Sequence, residues 1–143
     1  MFIGEYQHSI DTKGRMAVPA KFRAKLGSGA IITRGLDRCL FVFTASEWEM
    51  LAKKITDLSI LKSDSRAFAR FTMSAAAETD FDSQGRILIP ASLREYAGLR
   101  KEAVVTGVFN RLEIWDIDGW KSYRAKAENN SDAIAEKLGE AGL

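Results

Sequence analysis

Two aspartate–arginine pairs are the residues of this chain best suited to specific chemistry: Asp11 with Arg15 in Asp11-Thr12-Lys13-Gly14-Arg15, and Asp82 with Arg86 in Asp82-Ser83-Gln84-Gly85-Arg86. A guanidinium is a rigid planar fork that matches phosphate oxygens or guanine edges with two prongs at once. A carboxylate one turn away can hold that fork in a single orientation. Turn chemistry by itself accounts for the aspartates, because Asp at the first and Gly at the fourth position suit a type I turn. It does not account for the arginines, since the turn needs no guanidinium there. Asp11, Gly14, Asp82 and Gly85 are therefore expected to support the turns, and Lys13, Arg15 and Arg86 to reach an anionic partner. Arg23 joins that set as support from the next helix, because Arg23 and Arg94 recur at one position; Lys21 and Lys25 suit a solvated face.

Other chemistries fail on placement. His8, Ser9 and Asp11 have the residue types of a catalytic triad, but neighbours on a strand point to opposite faces, so His8 and Ser9 cannot share a proton. His8 fits a half-buried strand position. With one His and one Cys in the chain, zinc sites of the usual kind are not available. Cys39 beside Leu40 suits a small hydrophobe in a strand. Gly27-Ser28-Gly29 follows a helix and leads into a strand, the reverse of a phosphate loop. Asp80 and Asp82 sit together at a strand end, where acids are common. No catalytic constellation results, and neither a metal nor a cofactor is expected.

The elements that must position the two pairs follow from periodicity. Residues 2–10 alternate, Phe2, Tyr6 and Ile10 against Glu5, Gln7 and Ser9, which predicts a half-buried strand ahead of the first turn. Met16-Ala17-Val18 and Ile87-Leu88-Ile89 are short apolar strands after the turns. Pro19 and Pro90, the chain's only prolines, stop them and suit the first position of a helix. Phe22 and Leu26 form the inner face of the first helix, ended by Gly27; Leu93 and Ala97 do so in the second, ended by Gly98. Leu40-Phe41-Val42-Phe43 and Leu112-Glu113-Ile114-Trp115 are closing strands, each after a turn. Thr44-Ala45-Ser46-Glu47 is a capping box opening a helix with Trp48, Leu51 and Ile55 on one stripe. Ser63 to Phe71 predicts another helix, and Asp118 or Gly119 is expected to open a matching one with Trp120 and Tyr123. The tail after Asn129-Asn130-Ser131, with Ile134 and Leu138 as its apolar pair, is expected to be weakly ordered.

These elements occur twice. Gly14 and Gly85, Arg15 and Arg86, Pro19 and Pro90, and Arg23 and Arg94 each stand 71 positions apart. Ala30-Ile31-Ile32-Thr33 then answers Ala103-Val104-Val105-Thr106, and Trp48 answers Trp120. An internal repeat decides the architecture: an α+β, pseudo-twofold fold in which two units too small to bury separate cores complete each other. Boundaries fall at 5–48 for the first repeat with the start of its helix, 49–74 for connecting helices, 75–120 for the second repeat, and 121–143 for a C-terminal helix and polar tail.

The chain has 143 residues, 46% of them apolar and 28% charged, an ordinary globular composition. No run approaches the roughly 18 apolar residues of a membrane span, and Met1-Phe2-Ile3-Gly4-Glu5 lacks the layout of a signal peptide. A lone cysteine fits a reducing compartment. The net charge of +2 conceals an imbalance: Lys13 to Arg38 holds seven basic residues against Asp37, whereas Gln84 to Arg111 holds five against Glu95 and Glu102. The first repeat is the electropositive one, which points to an anionic partner.

The two copies of Asp-x-x-Gly-Arg followed by three apolar residues and Pro, the spacing between them, Leu93-Arg94-Glu95-Tyr96-Ala97-Gly98-Leu99 and Leu112-Glu113-Ile114-Trp115-Asp116 together resemble the bacterial MraZ family. The resemblance covers residues 1–125. It implies that each copy is a SpoVT-AbrB unit and that the fold is a swapped-hairpin, AbrB-like β-barrel with flanking helices. It further implies a nucleoid-associated, cytoplasmic regulator that binds double-stranded promoter DNA at direct repeats. Such a regulator acts on the division and cell-wall gene cluster headed by its own gene, as a ring-shaped homo-oligomer and here as a repressor. On that resemblance the DNA-facing signature falls on Asp11, Arg15, Asp82 and Arg86. Lys13 is replaced by Gln84 in the second turn, so the stronger contact is expected from the first repeat. Two other classes remain: a protein–protein assembly module using the apolar helices at 44–71 and 118–127, and an antitoxin-like DNA binder. The fused double repeat argues against the antitoxin, since such proteins tend to be single units that pair between chains. An enzyme is not expected, nor a small-molecule substrate.

Overall fold

The computed structural model describes all 143 residues. In chain order the elements are β1 (Phe2–Ser9), β2 (Arg15–Ala17), α1 (Ala20–Leu26), β3 (Ala30–Arg34), β4 (Leu40–Phe43), α2 (Ala45–Thr56), α3 (Ser63–Met73), β5 (Ala77–Thr79), β6 (Arg86–Leu88), α4 (Ala91–Tyr96), β7 (Glu102–Phe109), β8 (Leu112–Asp116), α5 (Ile117–Asn129) and α6 (Ser131–Glu140). The fold is α+β, with an antiparallel sheet and six helices.

The repeats are interleaved in the sheet. One six-stranded sheet has the order β1-β7-β8-β4-β3-β5, and β2 pairs with β6 in a separate two-stranded ribbon. The first strand of each repeat thus pairs with the other repeat: β1 lies on β7 from Phe2↔Phe109 to Ser9↔Glu102, and β5 lies on β3. At Gly107 a Cβ would lie 2.5 Å from the Phe2 carbonyl carbon, so only glycine fits there.

The alternation in residues 2–10 holds: Phe2 and Ile10 are buried and Tyr6 is half-buried. The core joins both repeats, with Phe22, Leu26, Ile32 and Leu40 from the first packed with Ile87, Ile89, Leu93 and Ile114 from the second. Phe22 is fully buried and meets Phe2 and Tyr6 edge-on, at ring-centroid distances of 5.7 and 5.3 Å.

Several boundaries differ from the sequence expectation. Pro19 and Pro90 are the residues before α1 and α4 and not their first helical residues; their ψ values of 136° and 144° keep them extended. Thr44 caps α2 as expected, accepting from the Glu47 N–H at 3.2 Å. α5 opens at Ile117, before Asp118, because the Asp116 carboxylate accepts from the Gly119 N–H and caps it there. The segment expected to be weakly ordered forms α6, with Ile134 and Leu138 a turn apart and exposed. No helix is long and apolar enough to cross a membrane.

Candidate nucleic-acid interface

Each Asp–Arg turn is closed by its own backbone and then locked by its aspartate. In the first turn Gly14 N–H donates to Asp11 O at 3.0 Å and Asp11 N–H to Arg15 O at 2.9 Å. The Asp11 carboxylate accepts from the N–H groups of Lys13 and Arg15, both at 2.9 Å, and from Arg15 Nε at 2.7 Å. The second turn repeats the pattern: Asp82 accepts from Gln84 N–H, Arg86 N–H and Arg86 Nε, all at 2.9 Å. These donors favour the ionised acid. The Arg15 backbone N–H above all holds Asp11 below the usual carboxylate range, with partial desolvation opposing it, and the Arg86 N–H does the same for Asp82.

The ribbon brings the two turns together. β2 and β6 pair as Arg15↔Leu88, Met16↔Ile87 and Ala17↔Arg86. Met16 and Ile87 occupy the same place in the two repeats, so the pseudo-twofold axis passes between them. On either side, Val18 N–H donates to Gly85 O at 3.3 Å and Ile89 N–H to Gly14 O at 2.8 Å. The pairing places Arg86 Nη1 3.6 Å from Asp11 Oδ2, so the first turn's aspartate faces both arginines. Their side chains are a third or less exposed (Arg15 33%, Arg86 26%), enough for the outer guanidinium edges to meet a ligand. Lys13 and Gln84 are exposed at the turns.

Of the residues singled out from sequence, Asp11, Lys13, Gly14, Arg15, Asp82, Gly85 and Arg86 are gathered at these two adjoining turns. Arg23 reaches the second turn from α1, across the repeats. It is half-buried, its Nη1 donates to Val18 O at 2.7 Å, and its guanidinium covers Gly85 in the opposite repeat. Arg94 covers Gly14 in the same way. Their matched spacing marked the two as equivalent, but helical position does not disclose what a long side chain reaches. The other basic residues of the first repeat are spread out: Arg34 stacks over Phe71, Arg38 over Tyr96, and Lys21 over Tyr6.

The triad types stay apart. Ser9 donates to Glu102 at 3.1 Å, while His8 lies half-buried opposite Ala103, where desolvation lowers its pKa. Cys39 is buried and its thiol is pushed far up, mainly by desolvation.

A family model described as "MraZ protein, putative antitoxin-like" matches the chain twice, over residues 1–71 and 72–140. The chain is 54% identical over 138 residues to a protein named Transcriptional regulator MraZ from Ligilactobacillus salivarius, spanning 96% of each chain. It is 51% identical over 138 residues, again 96% of each, to the protein of that name from Natranaerobius thermophilus. A third, from Alkaliphilus oremlandii, is 50% identical over 143 residues, the full length of both. With two matched repeats and half-identical relatives along its whole length, the chain belongs to the MraZ family.

Proposed function

We propose that this chain is a DNA-binding transcriptional regulator, not an enzyme, and that its paired Asp–Arg turns are the DNA-facing surface. The observation that carries the reading is the ribbon β2–β6, which sets two Asp–Arg turns of the same backbone design side by side with Arg86 Nη1 within 3.6 Å of Asp11. Two orientation-locked forks a short distance apart suit consecutive phosphates or a guanine edge. In this reading Arg15 and Arg86 contact DNA, Lys13 adds charge on the first turn, Arg23 supports, and Asp11, Gly14, Asp82 and Gly85 set the geometry.

The crossing of β1 to β7 and β5 to β3, with Ile10 bridging Met16, supports reading the whole as a SpoVT-AbrB-type swapped-hairpin barrel. The regulator represses the division and cell-wall gene cluster headed by its own gene, occupying tandem promoter repeats as a ring-shaped homo-oligomer at the nucleoid. A few phosphate contacts per copy are weak and salt-sensitive. A ring presenting many turns at fixed spacing gains avidity through effective concentration.

Fluorescence anisotropy tests this with DNA from upstream of the gene and an unrelated fragment at several salt concentrations. Preference for the upstream fragment that persists at higher salt and is lost in Arg15→Ala is the expected result. The same variant should flatten the plot of log affinity against log salt by about one unit. Equal, salt-labile binding to both fragments would reduce the basic turns to non-specific attraction and favour an assembly module.

A further inference from the structure

We infer that Arg94 and Arg23 are positioning residues acting across the repeats: each fixes the Asp–Arg turn of the opposite repeat, and neither contacts the nucleic acid. This rests on the DNA-binding reading above and adds residues to that same site.

Gly14 has φ +83° and Gly85 φ +74°, a conformation that side chains rarely adopt, and an arginine of the opposite repeat lies over each of them. A Cβ on Gly14 would fall 2.6 Å from Arg94 Cζ and Nη1 and 2.9 Å from Nε. A Cβ on Gly85 would meet Arg23 Nη1 at 2.6 Å, Cζ at 2.7 Å and Nε at 2.9 Å. Three atoms of each guanidinium lie almost equally far from one point, so the face of the plate, and not its tip, covers the glycine.

The base of each plate is fixed as well. Phe22 and Leu93, one residue before each arginine, are buried to 0% and 1% exposure and anchor α1 and α4 in the core. Each turn is thus held by the opposite repeat on two sides, by the helix arginine over its glycine and by a strand N–H on that glycine's carbonyl. Fixing the turn is what gives the neighbouring fork one orientation, and binding that depends on a preset geometry is lost when its supports are loosened.

The two clamps are unequal. Arg23 is tied by its hydrogen bond to Val18 O. Arg94 Nε is buried with no partner, so Arg94 is held on Gly14 by packing. The first turn, which alone carries Lys13, therefore depends on an arginine from the less basic repeat. Arg94→Ala should harm DNA binding more than Arg23→Ala, the opposite of the order expected from local charge.

Two measurements on the full-length protein decide the matter. Without DNA, amide exchange followed by NMR should quicken about tenfold or more at Gly14 and Arg15 in Arg94→Ala and stay unchanged at Gly85 and Arg86, with the converse in Arg23→Ala. A merely structural role would loosen both turns alike. With DNA, Arg94→Ala should weaken binding about tenfold at an unchanged salt slope, whereas loss of a phosphate contact lowers that slope by about one. An exchange pattern that is not crossed, or a salt slope lowered by about one in Arg94→Ala, overturns the inference. Should Arg94→Ala lose its native circular dichroism, Arg94→Met keeps the apolar stem without the fork and carries both measurements. If the wild type binds no DNA, the regulator reading fails, and the crossed exchange pattern still decides whether the clamp exists.

Discussion

Replacing Phe22 by alanine tests how far the two repeats are one energetic unit. The side chain is fully buried, packs edge-on against Phe2 and Tyr6, and lies in a cluster holding Ile87, Ile89 and Leu93 of the other repeat. Truncating such a phenylalanine costs about 3–5 kcal/mol, combining lost burial with the cavity left behind. Unfolding entropy near 60 °C is about 2.1 cal/mol/K per residue, roughly 0.3 kcal/mol/K for 143 residues. Each kcal/mol therefore shifts Tm by about 3 °C, and Phe22→Ala should lower it by roughly 10–15 °C. Differential scanning calorimetry at one fixed protein concentration measures this, since any self-association makes Tm concentration-dependent. Because the lost contacts serve both repeats, a single transition should move as a whole. A drop under about 4 °C, near 1 kcal/mol on this scale, would refute the burial reasoning. A split into two transitions, one unmoved, would refute the shared core.

Acid should unlock the turns. Asp11 and Asp82 have folded pKa values held below their unfolded ones, so the stability they contribute is present above the ordinary carboxylate pKa and is lost as pH falls through the depressed folded values. The variant Asp11→Asn, Asp82→Asn should accordingly show a shallower loss of stability on that acid limb in urea titrations, and an unaltered limb would refute this assignment. Thr44→Ala removes the side-chain cap of α2 and should cost about 1 kcal/mol, read as a lower urea midpoint at unchanged m; no change would mean that water replaces the cap.

The sequence was informative where the physics is local. A type I turn is written in four residues, so Asp11 to Gly14 and Asp82 to Gly85 were legible along with the Asp–Arg pairing. Capping at Thr44 and helix termination at Gly27 and Gly98 are equally local. Pairing partners were not legible. Alternation in residues 2–10 marks a strand with one buried face, but the same pattern would serve beside β2, β3 or β7. The start of α5 was misplaced because Asp116 and Asp118 are both competent caps, and the register of β8 decides between them. α6 was missed because its two apolar residues find no core, and without burial only propensity marks a helix. The reach of Arg23 and Arg94 was hidden for another reason: each covers a glycine in the other half of the chain, a relation no window of neighbouring residues contains.

The interleaved sheet also dictates an order of events during synthesis. β1 is made long before its hydrogen-bonding partner β7, with Ser9 waiting for Glu102 and Phe2 for Phe109. At about 5–20 residues per second of translation, that wait lasts roughly 5–20 s. Throughout it the amino-terminal strand is an open edge on the nascent chain. The exposed faces of β1 carry Glu5 and Gln7, and a charge on an edge is one of the ordinary guards against pairing with the wrong strand.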